Sequence, residues 1–212
     1  MGSEMCIRDS YQALILVPTI TLVEQWEDEC KRFNFSHIIK VSSKNQGWRS
    51  EIDDIKLKES LAESDESSLS FIIITTYASF SRESTFKQLM SLSKKIQRQM
   101  LLIADEAHNI GAPNIMSKLD RVKILRRIGL SATPERQFDD KGNKAVMQFF
   151  GCDAQYTFEY SMKEAIDNGF LCRYRYFPHV VRLNEDEMAE YKKISLQLAK
   201  FYNICLLYTS DD

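Results

Sequence analysis

The chain is poor in the residues that interrupt regular structure. Its 212 residues include 7 glycines and 4 prolines, which excludes collagen-like and low-complexity architectures. No apolar run approaches the roughly 20 residues of a membrane-spanning helix. Charge of one sign is not in excess: 28 Lys and Arg against 30 Asp and Glu give a formal net charge of -2. Any attraction to a polyanion must therefore come from a local patch. The five cysteines form no C-x-x-C pair, which excludes a disulfide framework and a zinc site built on such pairs. His37 and His179 have no metal-ligand spacing and read as structural or exposed. What is present is 44% hydrophobic and 27% charged sequence, enough for a buried core and incompatible with wholesale disorder. The length suits one domain, or one domain with the beginning of another.

The two ends share an origin in DNA. Met5–Ser10 reads M-C-I-R-D-S and Cys205–Ser210 reads C-L-L-Y-T-S. A nucleotide string that encodes the first encodes the second when its reverse complement is read in a shifted frame. One short element in opposite orientations, of the kind used as a sequencing-library transposon adapter, accounts for both. Residues 1–10 and 205–212 are thus expected to be non-native tails, with the native chain cut at both ends. Setting aside Cys6 and Cys205 leaves Cys30, Cys152 and Cys172, read as small thiols in a reducing compartment.

Between the tails, short apolar runs alternate with longer amphipathic stretches. Ala13–Val17, a short run at His37–Val41, Phe71–Thr76, Met100–Ala104 and a segment within Ile124–Ser131 read as strands. Thr21–Phe33 carries a helical stripe (Leu22, Val23, Trp26, Cys30, Phe33), and Ser50–Ser70 reads as a surface helix and loop. A polar helix is expected from about Arg82 to Gln99. Continuous apolar strands separated by helices indicate an α/β fold with a parallel sheet covered on both faces. After Gly151, short aromatic strands (Gln155–Tyr160, Tyr174–Leu183) are expected, then a helix with Met188, Tyr191, Ile194, Leu198 and Phe201 on one face.

Ligands in such sheets collect beyond the carboxyl ends of the strands, and four polar clusters stand there: Pro18-Thr19, Thr75-Thr76, Asp105-Glu106 and Ser131-Ala132-Thr133. The most specific is L-L-I-A-D-E-A-H, Leu101 to His108. Two adjacent carboxylates at the end of a buried strand are costly unless they bind a cation or accept hydrogen bonds. Holding Mg²⁺ and activating a water are the two tasks that phosphoanhydride hydrolysis leaves to carboxylates. The bland alternative is a solvated turn with acidic residues at a helix start. G-L-S-A-T-P (Gly129 to Pro134) is an ordinary turn by itself and gains weight by following the next apolar strand. In V-P-T-I-T-L-V-E-Q-W (Val17 to Trp26), Pro18 stops the strand and Thr19 or Thr21 can cap the following helix, a position suited to phosphate contact.

Together these segments resemble helicase superfamily 2, with motif Ia at Pro18–Gln25, Ib near Thr75-Thr76, II at Asp105–His108 and III at Ser131–Thr133. S-A-T-P-E-R followed by E-A-I-D-N-G-F-L (Glu164–Leu171) is most similar to the branch containing type III restriction-enzyme subunits and DNA-repair translocases. The resemblance implies a RecA-like ATPase domain over residues 11–160, a connection toward a second such domain over 161–204, and an ATP-driven helicase or translocase as parent. It implies that Asp105 holds Mg²⁺ through water and Glu106 activates the attacking water. His108, Ser131 and Thr133 would couple hydrolysis to movement, and Pro18, Thr19, Thr75 and Thr76 would line the nucleic-acid backbone. ATP and Mg²⁺ are the implied cofactors. DNA is the implied partner, double-stranded by branch, with RNA also open, and a cytoplasmic, nucleoid or nuclear location follows. The alternatives are a non-catalytic nucleic-acid-binding module and the motor subunit of a restriction nuclease.

One family element is missing: no G-x-x-x-x-G-K-[ST] occurs in the 212 residues, so the phosphate-cradling loop and its lysine are expected upstream of Tyr11. The chain as written is expected to bind ATP poorly and not to hydrolyse it. Two further candidates are weaker. The basic run Lys118–Arg127 can touch phosphates, or is a solvated helix edge. Tyr174, Tyr176 and Phe177 can stack on bases, or pack.

Overall fold

The computed structural model describes residues 11–42, 45–61, 69–152 and 155–208, with side chains to residue 200. Of the expected tails at 1–10 and 205–212, residues 1–10 and 209–212 lie outside the described residues, and 205–208 continue the last helix. The chain divides into two compact units, Met1–Thr157 and Phe158–Asp212.

The first unit is built on five strands: β1 (Gln12–Val17), β2 (Ile38–Val41), β3 (Phe71–Thr76), β4 (Leu101–Asp105) and β5 (Arg126–Leu130). They form one sheet in the order β2-β3-β1-β4-β5 with every pair parallel. Intervening helices are α1 (Ile20–Arg32), α2 (Trp48–Leu61), α3 (Tyr77–Phe80), α4 (Glu83–Leu89), α5 (Lys94–Gln99), α6 (Pro113–Met116) and α7 (Asp140–Phe150), with 3-10 turns at Ala107–Gly111 and Leu119–Arg121. This is the expected RecA-like α/β architecture.

The apolar runs are continuous because both faces of the sheet are covered. Successive strand residues point to opposite faces, so β1 gives Leu14 and Leu16 to one core and Ile15 and Val17 to the other. β3 splits the same way, Phe71 and Ile73 against Ile72 and Ile74. Each such side chain contributes roughly 1.5–3 kcal/mol by leaving water. Coverage fails at the β5 edge. Ile128 and Leu130 remain 45% and 44% exposed, beside Ile103 and Asp105 of β4 in register.

The polar helix expected over Arg82–Gln99 is two helices. Ser93 ends the connection and caps α5, accepting the Ile96 N–H at 3.1 Å; a serine that competes with the backbone favours such a cap over a helix interior.

The basic run Lys118–Arg127 is largely consumed inside this unit. Glu83 at the start of α4 pairs with Lys118 Nζ at 2.8 Å and Arg121 Nη2 at 2.9 Å, and both cations lie over the Phe86 ring. Hydrogen bonds from Arg121 and Lys118 hold the Glu83 carboxyl down at about 2, against an ordinary 4.5. A carboxylate with a depressed folded pKa stabilises the fold above its unfolded pKa and loses that contribution as pH falls through the folded one. The wild type should therefore lose stability between about pH 4.5 and 2, and Glu83→Gln should flatten that window in acid-unfolding curves. Superimposable wild-type and variant pH profiles would remove the assignment.

In the second unit, α8 (Met162–Asp167) begins with a capping box between Ser161 and Glu164, and α9 spans Glu185–Tyr208. The aromatic strands expected at Gln155–Tyr160 and Tyr174–Leu183 are not formed; their described residues are irregular. Alternation alone makes no strand without a neighbouring backbone to complete the ladder. Among the described residues no helix is long and apolar enough to cross a membrane.

Candidate functional site

Because every strand is parallel, the carboxyl ends of β1, β3, β4 and β5 lie on one rim, which carries all four polar clusters. At the centre, β4 ends on Asp105 and the chain turns sharply at Glu106. That residue is left-handed, with φ 50° and ψ 58°, a conformation costing a non-glycine residue about 1–2 kcal/mol. The turn is held from both sides. Glu106 N–H donates to Asp105 Oδ1 at 3.0 Å, and the Glu106 carbonyl accepts both the backbone N–H and the side-chain amide of Asn109 at 2.9 Å.

The strain aims the Glu106 carboxylate across to the end of β5. Ser131 Oγ donates to Glu106 Oε2 at 3.3 Å, and His108 Nδ1 lies 3.3 Å from Ser131 Oγ and 3.4 Å from Glu106 Oε2. Ser131 Oγ also accepts the Thr133 N–H at 3.2 Å, while the Thr133 side chain is exposed. Glu106, His108 and Ser131 thus form one contact group, with the Glu106 side chain 40% open to solvent. A glycine at 106 should relieve the strain. Glu106→Gly is expected to raise stability by about 0.5–1 kcal/mol after its own entropic cost, read as a higher thermal midpoint; a lower midpoint would show that the lost Ser131 and His108 contacts outweigh the strain.

Four supporting residues carry no sequence signal specific enough to find them. Trp26 Nε1–H donates to Asp105 Oδ2 at 3.0 Å. The Tyr77 hydroxyl donates to the Asp105 carbonyl at 2.7 Å; burial, reinforced by the Asp105 and Glu106 charges, pushes its pKa far up and keeps it a donor. Asn109 braces the turn, as above. Arg136 ties the segment after β5 back to the turn, donating to the His108 carbonyl at 3.1 Å and to Asp139 at 2.7 Å. The approach is close: a Cβ on Gly111 would sit 2.7 Å from Arg136 Cδ and 2.8 Å from the Gly142 carbonyl oxygen.

The remaining expected residues occupy the rim differently. Thr19 is exposed and caps α1, accepting the Leu22 N–H at 3.3 Å, beside the half-buried Pro18. Thr75 and Thr76 are buried with their hydroxyls engaged. Thr75 donates to the Val41 carbonyl at 3.2 Å, and Thr76 caps α3 by accepting the Ser79 N–H at 3.1 Å. Beside them, at the ends of β2 and β3, lies a cleft of about 390 Å³ whose lining includes Ser42, Asn45, Arg49, Ser79 and Arg82 and no carboxylate.

No group of three His, Cys, Asp or Glu residues forms a protein-only metal cage among the described residues. Mg²⁺ needs none, since one or two carboxylates and substrate phosphates ordinarily suffice. Asp105 fits that part: each oxygen accepts one N–H, and a carboxylate has about four acceptor sites.

An all-parallel sheet with adjacent carboxylates at the end of a central strand, cross-linked to a hydroxyl at the end of the next, defines a helicase-type α/β domain. The chain belongs to the family of the type III restriction enzyme res subunit, a superfamily 2 helicase-type domain; the family's sequence model matches residues 4–136, more than half of the chain. Helicase-like, ATP-dependent motors make up this family, which generally uses ATP and Mg²⁺ and binds nucleic acid. No curated protein matches the chain.

Proposed function

We propose that this chain is the ATP-side half of a DNA-directed motor, in which ATP hydrolysis at the end of β4 drives movement along a polynucleotide lying on the same rim. The observation that carries this reading is the Glu106–Ser131–His108 contact group, which joins the ends of β4 and β5 and gives the carboxylate a mechanical neighbour. Asp105 would hold Mg²⁺, which when bound would supply neutralising charge for the transferred phosphate. Glu106, pinned left-handed and half open to solvent, orients a water and takes its proton. Any change at Glu106 alters the hydrogen bond to Ser131 and is passed to the Thr133 segment. This reading needs a phosphate-cradling loop that these 212 residues do not contain, and assigns it to the β5 edge, where Ile128 and Leu130 are uncovered. Such a motor works where its DNA is, in the cytoplasm or, in a eukaryote, the nucleus.

The nucleic-acid track follows from charge and hydrogen-bonding capacity. Pro18 and Thr19 present the start of α1 to the backbone. Thr75 and Thr76 spend their hydroxyls inside and hold the strand end that presents Ser79. The cleft beside them offers the Arg49 and Arg82 guanidinium groups with the Ser42 and Asn45 side chains, a set suited to phosphate oxygens. Type III restriction membership favours double-stranded DNA and is compatible with a motor that serves a separate nuclease. Arg49→Glu/Arg82→Glu should weaken binding of a labelled DNA oligonucleotide by at least about tenfold at low salt and lower the log–log salt slope by roughly two. Unchanged affinity and slope would take the track away from this cleft.

A further inference from the structure

We infer that Trp26 is the positioning residue of the Asp105 carboxylate, and that through it helix α1 and the metal side of the site sense one another. The inference rests on the reading of Asp105 as the Mg²⁺-side carboxylate.

Each oxygen of Asp105 accepts one N–H. Oδ1 accepts a backbone N–H from the adjacent Glu106, rigid with the turn, and Oδ2 accepts the indole N–H of a residue 79 positions away. Two donors on two oxygens fix the plane of the carboxylate, and one of them rides on α1. A hydrogen bond to an ionised acceptor is stronger than a neutral one. Packing alone does not require it, because Trp26 is only partly buried against the Val23, Ile72 and Ile74 core. Water could serve an indole N–H at such a position.

α1 is an unbroken helix of 13 residues from Ile20 to Arg32, capped by Thr19 on the rim. Trp26 stands about 9 Å along the axis from Ile20 at 1.5 Å per residue. A backbone phosphate engaging the Thr19 end and a cation engaging Asp105 therefore act on two points of one rigid element. Any displacement of α1 by the first turns the carboxylate offered to the second. Thermodynamic reciprocity requires the converse, with the same factor in both directions.

The chain has two tryptophans, Trp26 and Trp48, so a ¹⁵N–¹H spectrum of the full 212-residue chain carries two indole N–H peaks, and Trp48→Phe assigns them. The Trp26 indole peak should move saturably on adding Mg²⁺ alone, and again on adding a short DNA oligonucleotide. Asp105→Asn should displace it from the outset and abolish the Mg²⁺ response. Mg²⁺ should tighten oligonucleotide binding about fivefold, and Trp26→Phe should remove that gain while the Mg²⁺-induced shifts of the Asp105 and Glu106 backbone amides persist. Should Trp26→Phe lose its fold, Asp105→Asn carries the test from the other partner. Backbone amides that respond to Mg²⁺ beside an unmoving Trp26 indole would overturn the inference and leave the reading of Asp105 intact. Silence of both would overturn the two together.

Discussion

Arg127→Met is expected to cost about 3 kcal/mol of folding stability, although Arg127 belongs to what reads in the sequence as a phosphate-touching basic run. Its guanidinium is turned inward. Nε donates to the Ile124 carbonyl at 2.7 Å, Nη1 to the Phe149 carbonyl at 2.8 Å and Nη2 to the Val122 carbonyl at 3.3 Å. The same group stacks 4.0 Å from the centre of the Phe149 ring, and burial lowers its pKa. It therefore staples three chain segments together: the approach to β5, β5 itself and the end of α7. Methionine matches the length and restores no donor, leaving three partly buried carbonyls to water that reaches them poorly; each such loss costs roughly 1–3 kcal/mol. Neighbouring Arg126 is exposed, and Arg126→Met should stay within about 0.5 kcal/mol of wild type. Urea unfolding of both variants separates the cases, and a loss below about 1 kcal/mol at 127 would show that the staple is dispensable.

The second large effect is chemical. Glu106→Gln should lower the steady-state ATP turnover of the polypeptide encoded by the source gene by at least about 100-fold, the size expected when a general base is removed. Glutamine keeps the shape, the turn and an acceptor for Ser131 Oγ, so the fold and the contact to β5 survive. What disappears is the capacity to take a proton from water. Asp105→Asn should fail differently, by demanding more Mg²⁺, because it weakens the cation's anchor and leaves the base in place. Equal turnover by Glu106→Gln would move the base elsewhere.

Much of this was legible because burial on both sides of a parallel sheet writes itself into the sequence. The runs L-I-L-V, F-I-I-I-T-T and L-L-I-A-D place β1, β3 and β4 almost to the residue, and each names the polar pair that follows it. The carboxylate pair was legible because charge directly after such a run demands a reason. What escaped was long-range pairing. Nothing in the stripe Leu22, Val23, Trp26, Cys30 distinguishes an indole that packs from one that also donates to a carboxylate 79 residues away. Thr75 and Thr76 looked available because a hydroxyl at a strand end usually is; here Val41 and Ser79 take them. The aromatic alternation after Gly151 is a strand pattern, but pairing needs a partner backbone that pattern cannot supply.

The most direct test is ATP turnover, with and without duplex DNA, by the polypeptide encoded by the source gene, wild type beside Glu106→Gln. The account predicts a phosphate-loop sequence upstream of Tyr11, turnover stimulated by DNA, and its collapse in the variant. A polypeptide without that loop, or turnover indifferent to both DNA and Glu106, would contradict it and leave a DNA-binding module that keeps the fold of a motor without its chemistry.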